Sequence, residues 1–187
     1  MRLLIMGPPG AGKGTQATGI AAHYGIPAIS TGSIFRQNVA DQTPLGLQIK
    51  SLMESGEYVP DALTVELVSE RLSRPDCANG WLLDGFPRTL PQVMTLDDAG
   101  LFADAVISLV CDTEVLVARM LHRAEVEGRP DDNEATIRHR FEVYAAQTDP
   151  LLEVYHARGV VVDIDGIGSV EEVSSRITAA LDAKLGH

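Results

Sequence analysis

Cysteine is nearly missing from the 187 residues: Cys77 and Cys111 are the only two. They lie far apart with no CxxC spacing, which excludes a disulfide scaffold and a cysteine-rich metal module and fits a reducing compartment. Long apolar runs are lacking too. The opening MRLLIMG holds an apolar run of about five residues, shorter than a secretory leader requires and far shorter than a membrane span. No targeting or membrane segment is therefore expected. Basic residues are few, 15 Lys and Arg against 26 Asp and Glu, giving a formal charge of −11. That balance argues against a broad nucleic-acid surface. Lysine is the rarer of the two, with Lys13, Lys50 and Lys184 against twelve arginines, a bias toward the planar, bidentate cation that suits phosphate. Aromatic residues make up only 5%, and the single tryptophan, Trp81, is expected in the core. Repeats, low-complexity tracts and linkers are absent. The remaining composition, 45% hydrophobic and 22% charged, is that of one soluble domain.

Short apolar runs at Arg2–Met6, Trp81–Leu83, Ala105–Val110 and Val160–Ile164 read as strands, with Ile26–Ile29 a shorter fifth. Stretches of helical periodicity separate them, the pattern of a parallel α/β sheet. Ser169-Val170-Glu171-Glu172 reads as a capping box opening a helix whose apolar face holds Val170, Val173, Ile177, Ala180 and Leu181. A second helix starts at Thr113 and puts Arg119 and Arg123 on one face. A third is predicted from about Asn133 to Tyr155, kinked or broken at Pro150. Two stretches exceed what a minimal strand–helix alternation needs. Ser30–Val59 contains short helical pieces broken by Pro44, Gly46 and Gly56, and Ala124–Asn133 is an acidic stretch around Gly128-Arg129-Pro130 that reads as a mobile flap.

Gly7-Pro8-Pro9-Gly10-Ala11-Gly12-Lys13 follows the first strand directly and precedes a helix. This is the context in which GxxxxGK binds phosphate: the glycines let the backbone curl with its N–H groups inward, the helix terminus adds positive character, and the lysine reaches the outer phosphates. Gly14 stands where a magnesium-linked hydroxyl is usual, with Thr15 next, so that hydroxyl is expected to act indirectly.

With this loop, STGSIFR at Ser30–Arg36 and LLDGFPRTLPQ at Leu82–Gln92, nearly the whole chain resembles the adenylate kinase family, within the nucleoside monophosphate kinases. The resemblance implies a single domain over residues 1–187 with the α/β, P-loop NTPase-type fold: a five-stranded parallel sheet flanked by helices, a monophosphate-binding insertion at 30–59 and a short lid at 124–133. It also implies a magnesium-dependent, reversible transfer of phosphate from ATP to AMP, giving two ADP. For ATP, the residues implied are Gly10, Ala11, Gly12, Lys13, Gly14, Thr15, Arg119, Arg123 and Gly168, with Arg119 stacked on the base. For AMP they are Thr31, Gly32, Arg36, Glu57, Tyr58, Val59, Gly85, Phe86, Pro87, Arg88, Gln92, Arg129 and Arg140. Catalysis would fall to Lys13, Arg88, Arg123, Arg129, Arg140 and Asp84. Magnesium carried with ATP would be held by Asp84 and Thr15 through water. Exposed helix charges remain the alternative for any single arginine, and a turn aspartate for Asp84. Asp131 and Asp132 are alternatives for the lid carboxylate.

Ser33 stands where many members of the family have Asp. Structural zinc, found in some long-lid relatives, is not expected, since both cysteines lie outside the lid. The five histidines lack a metal-ligand pattern. A monomer in the cytoplasm, without nucleic-acid or membrane partners, completes the expectation. Two alternatives stand beside it: a relative with another nucleotide pair (GTP:AMP, or UMP/CMP as acceptor), and a nucleotide-gated switch, for which no NKxD sequence is present.

Overall fold

Side chains of β1 (Arg2–Met6) alternate between two cores. Leu3 and Ile5 pack with Ile20, Ile107, Ile177 and Leu181, whereas Leu4 and Met6 pack with Leu83, Val93, Leu96 and Tyr155. A strand apolar on both faces must be covered on both, and the computed structural model, which describes residues 1–127 and 133–186, has helices on both. Helices α1 (Lys13–Tyr24) and α9 (Val170–Leu185) cover the first face. Helices α4 (Asp61–Leu72), α5 (Leu90–Asp98) and α8 (Asp149–Ala157) cover the second.

The sheet is wholly parallel. Its order is β2 (Ala28–Ser30), β3 (Trp81–Asp84), β1, β4 (Ala105–Val110), β5 (Val161–Asp165). The chain fills one side of β1 and then the other, so the order reverses at β1, and ligands of such sheets bind at the carboxyl ends beside that reversal. Both candidate clefts lie there.

Three boundaries differ from the sequence pattern for identifiable reasons. Ile26 belongs to the cap of α1, not to β2: Gly25 is left-handed with φ 66°, and the Ile26 N–H donates to Ala21 O at 3.0 Å. The helix predicted from Asn133 to Tyr155 is two helices, α7 (Glu134–Gln147) and α8. They part at Thr148, because Pro150 sits in the first turn of α8, where its missing N–H costs nothing. Helix α6 (Thr113–Glu127) runs through Ala124–Glu127, the first residues of the expected flap. Gly128, Arg129, Pro130, Asp131 and Asp132 lie outside the described residues.

Helix α9 carries the capping box in full: the Glu172 N–H donates to Ser169 Oγ at 3.2 Å, and the Ser169 N–H to Glu172 Oε2 at 2.7 Å. Its apolar face is narrower than the spacing suggested, since Val170 is 51% exposed.

Within residues 30–59, α2 (Thr31–Ala40) and α3 (Pro44–Ser55) close over a small core of their own, Phe35, Ile49 and Val59. Gly46 permits the crossing, because any β-carbon there would collide with the backbone carbonyl of Asn38. Trp81 is buried at 2% exposure. Among the described residues, no helix is long and apolar enough to cross a membrane.

Candidate active site

The loop between β1 and α1 takes the shape its glycines allow. Gly7, Gly10 and Gly12 have φ of 145°, 83° and 89°, a region that L side chains rarely enter. Lys13 folds back over this loop, its Nζ donating to Gly7 O at 2.7 Å and Pro8 O at 2.9 Å.

Two clefts flank the loop. The larger, about 770 Å³, is lined by Gly10, Gly12, Lys13, Gly14, Thr15, Asp84, Arg119 and Arg123, a size common for ligand sites. The smaller, about 120 Å³, is lined by Thr31, Gly32, Arg36, Glu57, Tyr58, Val59, Gly85, Pro87, Arg88, Gln92 and Arg140. Lining both are Pro9, Gly32, Lys13, Arg36, Arg88 and Arg140. Among the described residues, four cations thus converge where the clefts meet. Such crowding has a cost: burial, followed by the charges of Arg88, Arg140 and Arg123, outweighs the attraction of Asp84 and brings the Lys13 pKa down to about 8.

Arg88, Arg36 and Arg119 are each held by their own scaffold. Arg88 Nε donates to Gly85 O at 2.9 Å, and its guanidinium lies 4.8 Å from the centre of the Tyr58 ring, a cation–π contact. Thr148 Oγ1 donates to Arg88 O at 2.9 Å. With that proton committed, the Tyr58 hydroxyl is the donor in its 2.8 Å bond to Thr148 Oγ1. Arg36 donates to Ser33 Oγ at 3.2 Å, so the serine keeps an acceptor for this arginine. Arg119 donates to Gly166 O at 3.2 Å, fastening α6 to the turn after β5.

Asp84, at the end of β3 and 9% exposed, accepts from Ser30 Oγ at 3.1 Å and shares the larger cleft with Thr15. One carboxylate and one hydroxyl suit Mg²⁺, which keeps several of its waters and binds through few protein oxygens. Among the described residues, no group of three or more His, Cys, Asp or Glu could hold a metal ion by itself.

Three expected residues stand apart from the clefts. The Phe86 side chain is in the core at 3% exposure, following β3 into a cis Phe86–Pro87 peptide. Ala11 also packs inward, and Gly168 lines neither cleft. Arg129 lies outside the described residues. The sequence reading missed Met53, Thr64, Tyr144 and Thr148, which line the smaller cleft, and Asp61 behind it. No motif marks any of them; only the fold assembles them.

A family model described as adenylate kinase matches residues 5–160. Among curated relatives, the adenylate kinase of Clavibacter michiganensis subsp. michiganensis is 55% identical over 184 residues, covering 96% of this chain and 92% of that protein. The adenylate kinase of Nocardioides sp. is 55% identical over 186 residues, 97% of each chain. That of Leifsonia xyli subsp. xyli is 55% identical over 183 residues, covering 96% of this chain and 92% of that one.

Proposed function

The chain belongs to the adenylate kinase family, and from that premise we propose that its larger cleft takes ATP, its smaller cleft takes AMP, and their shared cations carry the phosphoryl group across. Its activity is the adenylate kinase reaction, the reversible conversion of ATP and AMP into two ADP.

The observation that carries the division of labour is the set Lys13, Arg36, Arg88 and Arg140 lining both clefts. Phosphoryl transfer asks little covalent chemistry of a protein; it needs in-line positioning and positive charge around the moving group. In this reading the glycine loop and Lys13 hold the β and γ phosphates of ATP, with Arg123 beside them and Arg119 against the base. Arg36 and Arg88 hold the AMP phosphate, and Gln92, Thr31 and the Glu57–Val59 segment meet its base. Arg140 joins them at the junction, and Arg129 is assigned to the same phosphates by the family resemblance. A general base is unnecessary, because the attacking phosphate oxygen is already an anion. Magnesium carried with ATP, held through water by Asp84 and Thr15, would neutralise charge on the β and γ oxygens.

In this reading residues 30–59 are the acceptor insertion and the short lid falls within 124–133 after the end of α6; the role of both would be to keep water from the poised phosphate. The chain is read as a monomer. The net charge of −11 speaks against nucleic-acid partners. The cytoplasm, where both nucleotides are at hand, suits the unpaired Cys77 and Cys111.

Coupled assay of ADP formation with ATP and a panel of monophosphates tests the assignment. Fast turnover with AMP is expected, with slow hydrolysis when no acceptor is present. Preference for UMP or CMP, or equal ATP turnover with and without AMP, would overturn it.

A further inference from the structure

Asp61 opens α4 and lines neither cleft. A carboxylate in a helix's first turn needs no explanation beyond the helix dipole, yet this one is committed elsewhere. Thr89 Oγ1 donates to both its oxygens at 3.0 Å, and Gln92 Nε2 donates to Oδ1 at 2.7 Å. At the other end of the same amide, Gln92 Oε1 accepts the Arg88 backbone N–H at 2.7 Å.

A glutamine amide turned by half a revolution exchanges a donor for an acceptor with almost no change of shape. For Gln92 that exchange is blocked at both ends. Turned over, its carbonyl oxygen would face a carboxylate and its NH₂ would face a backbone N–H. Gln92 is only 2% exposed, so water cannot repair either mismatch.

We infer that Asp61 is a positioning residue for acceptor specificity: it locks the Gln92 amide in the orientation that pairs with adenine and opposes a 6-oxopurine. The inference rests on the placement of the AMP base beside Gln92 proposed above. The locked amide keeps one N–H and one carbonyl lone pair for a ligand. Adenine offers the complement on its Watson–Crick edge, the N6–H donor beside the N1 acceptor. Hypoxanthine reverses the edge, with an O6 acceptor beside an N1–H donor. A glutamine free to turn fits either base. A locked one leaves two unpaired polar contacts against hypoxanthine, the kind of mismatch from which large discrimination arises.

The experiment measures kcat and KM for AMP and for IMP, at saturating ATP, in the wild type, Asp61→Asn and Asp61→Ser, with thermal melting alongside. Asn keeps the shape but can donate to a turned-over Gln92, and Ser removes the carboxylate while leaving a small polar residue at the helix start. Because the Arg88 N–H still opposes a turned-over amide, each variant removes one of two locks, and the AMP-to-IMP ratio of kcat/KM is expected to fall about three- to tenfold in both, through a higher KM for AMP and a lower one for IMP, while KM for ATP holds. An unchanged ratio, even with lower rates or a lower melting temperature, would overturn the inference, because Asp61 would then only tie α4 to α5. A wild type that prefers IMP to AMP would overturn the acceptor assignment, and the inference with it.

Discussion

Lys13 is held by the carbonyls of its own loop, and burial, with the repulsion of three arginines, brings its pKa from 10.5 down to about 8 despite Asp84. The folded value lies below the unfolded one, so between pH 8 and 10.5 the unfolded chain holds more protons and stability rises with pH. Below pH 8 the buried charge is a standing cost that nucleotide phosphates would offset. Binding ATP at pH 8.5 should therefore take up protons, measurable by calorimetry in buffers of different ionisation enthalpy. The uptake should vanish in Lys13→Met, and ATP affinity in the wild type should weaken by up to about tenfold per pH unit above 8. Absence of uptake in the wild type would remove Lys13 from the phosphate site. Arg88 gives a second test at this scale, because Gly85 O and the Tyr58 ring hold its guanidinium in place before any ligand arrives. Arg88→Ala should lower the transfer rate by about 10²- to 10³-fold and leave the melting temperature within a few degrees, since the side chain lines clefts and not the core. Single-turnover transfer at saturating substrates reads it, and an unchanged rate would contradict its place at the acceptor phosphate. Both residues were legible in the sequence because contiguous motifs carry them. Asp61 was not: it acts through Gln92, 31 positions away, and next to Pro60 it reads as an ordinary helix start.

Between elements, the loop after α3 is drawn onto α7 and α8. Thr136 Oγ1 donates to Glu54 O at 3.3 Å, the Tyr58 hydroxyl reaches Thr148, and His139 Nε2 lies 2.6 Å from Glu57 Oε1, with Glu142 Oε2 at 3.5 Å from Nδ1. This docking accompanies a smaller cleft of about 120 Å³, below the usual range for ligand sites. The hydrogen bond to Glu57 leads in raising the His139 pKa above 6.5, its charge and Glu142 adding to it against partial desolvation. A raised folded value means that the stabilisation is complete below pH 6.5 and is lost as pH climbs through the folded pKa. Amide exchange at residues 54–58 should accordingly be faster in His139→Gln than in the wild type at pH 6, with the difference fading by pH 9. Equal exchange at pH 6 would mean that the pair does not hold the insertion. The sequence placed the helical pieces of residues 30–59 from their Pro and Gly breaks and read α7 and α8 as one helix kinked or broken at Pro150. It could not locate the docking, since Thr136, His139 and Glu57 are polar surface types whose partners lie some eighty positions away. The flap expected at 124–133 was misjudged at its start for a related reason: Ala124–Glu127 continue α6, although the run lacks the apolar periodicity that marks a buried face.

For the molecule as a whole, a net charge of −11 coexists with a cationic junction, and the two are compatible because the parallel sheet gathers residues 13, 36, 88 and 140 at one end. The fold was legible because the strand–loop–helix motif and the alternating apolar runs admit few topologies. The way two clefts share four cations was not, since that convergence depends on how the 30–59 insertion and α7 face each other across the sheet edge. The shared junction has a consequence for binding. A molecule with two adenosines joined through a chain of phosphates would fill both clefts at once, and its second end would bind without the loss of translational freedom that a separate nucleotide pays. Saturation at a thousand times the dissociation constant stabilises a protein by about 4 kcal/mol, and for a chain of this size each kcal/mol raises the melting temperature by about 2–4 °C. The bridged ligand should thus raise it by about 8–16 °C at that concentration, more than ATP and AMP added together at the same molar concentration. Arg88→Ala should remove most of the excess, because Arg88 lines both clefts. A bridged ligand that stabilised no better than ATP alone would show that the two clefts do not open into each other, and the proposed path of the phosphoryl group would fail with them.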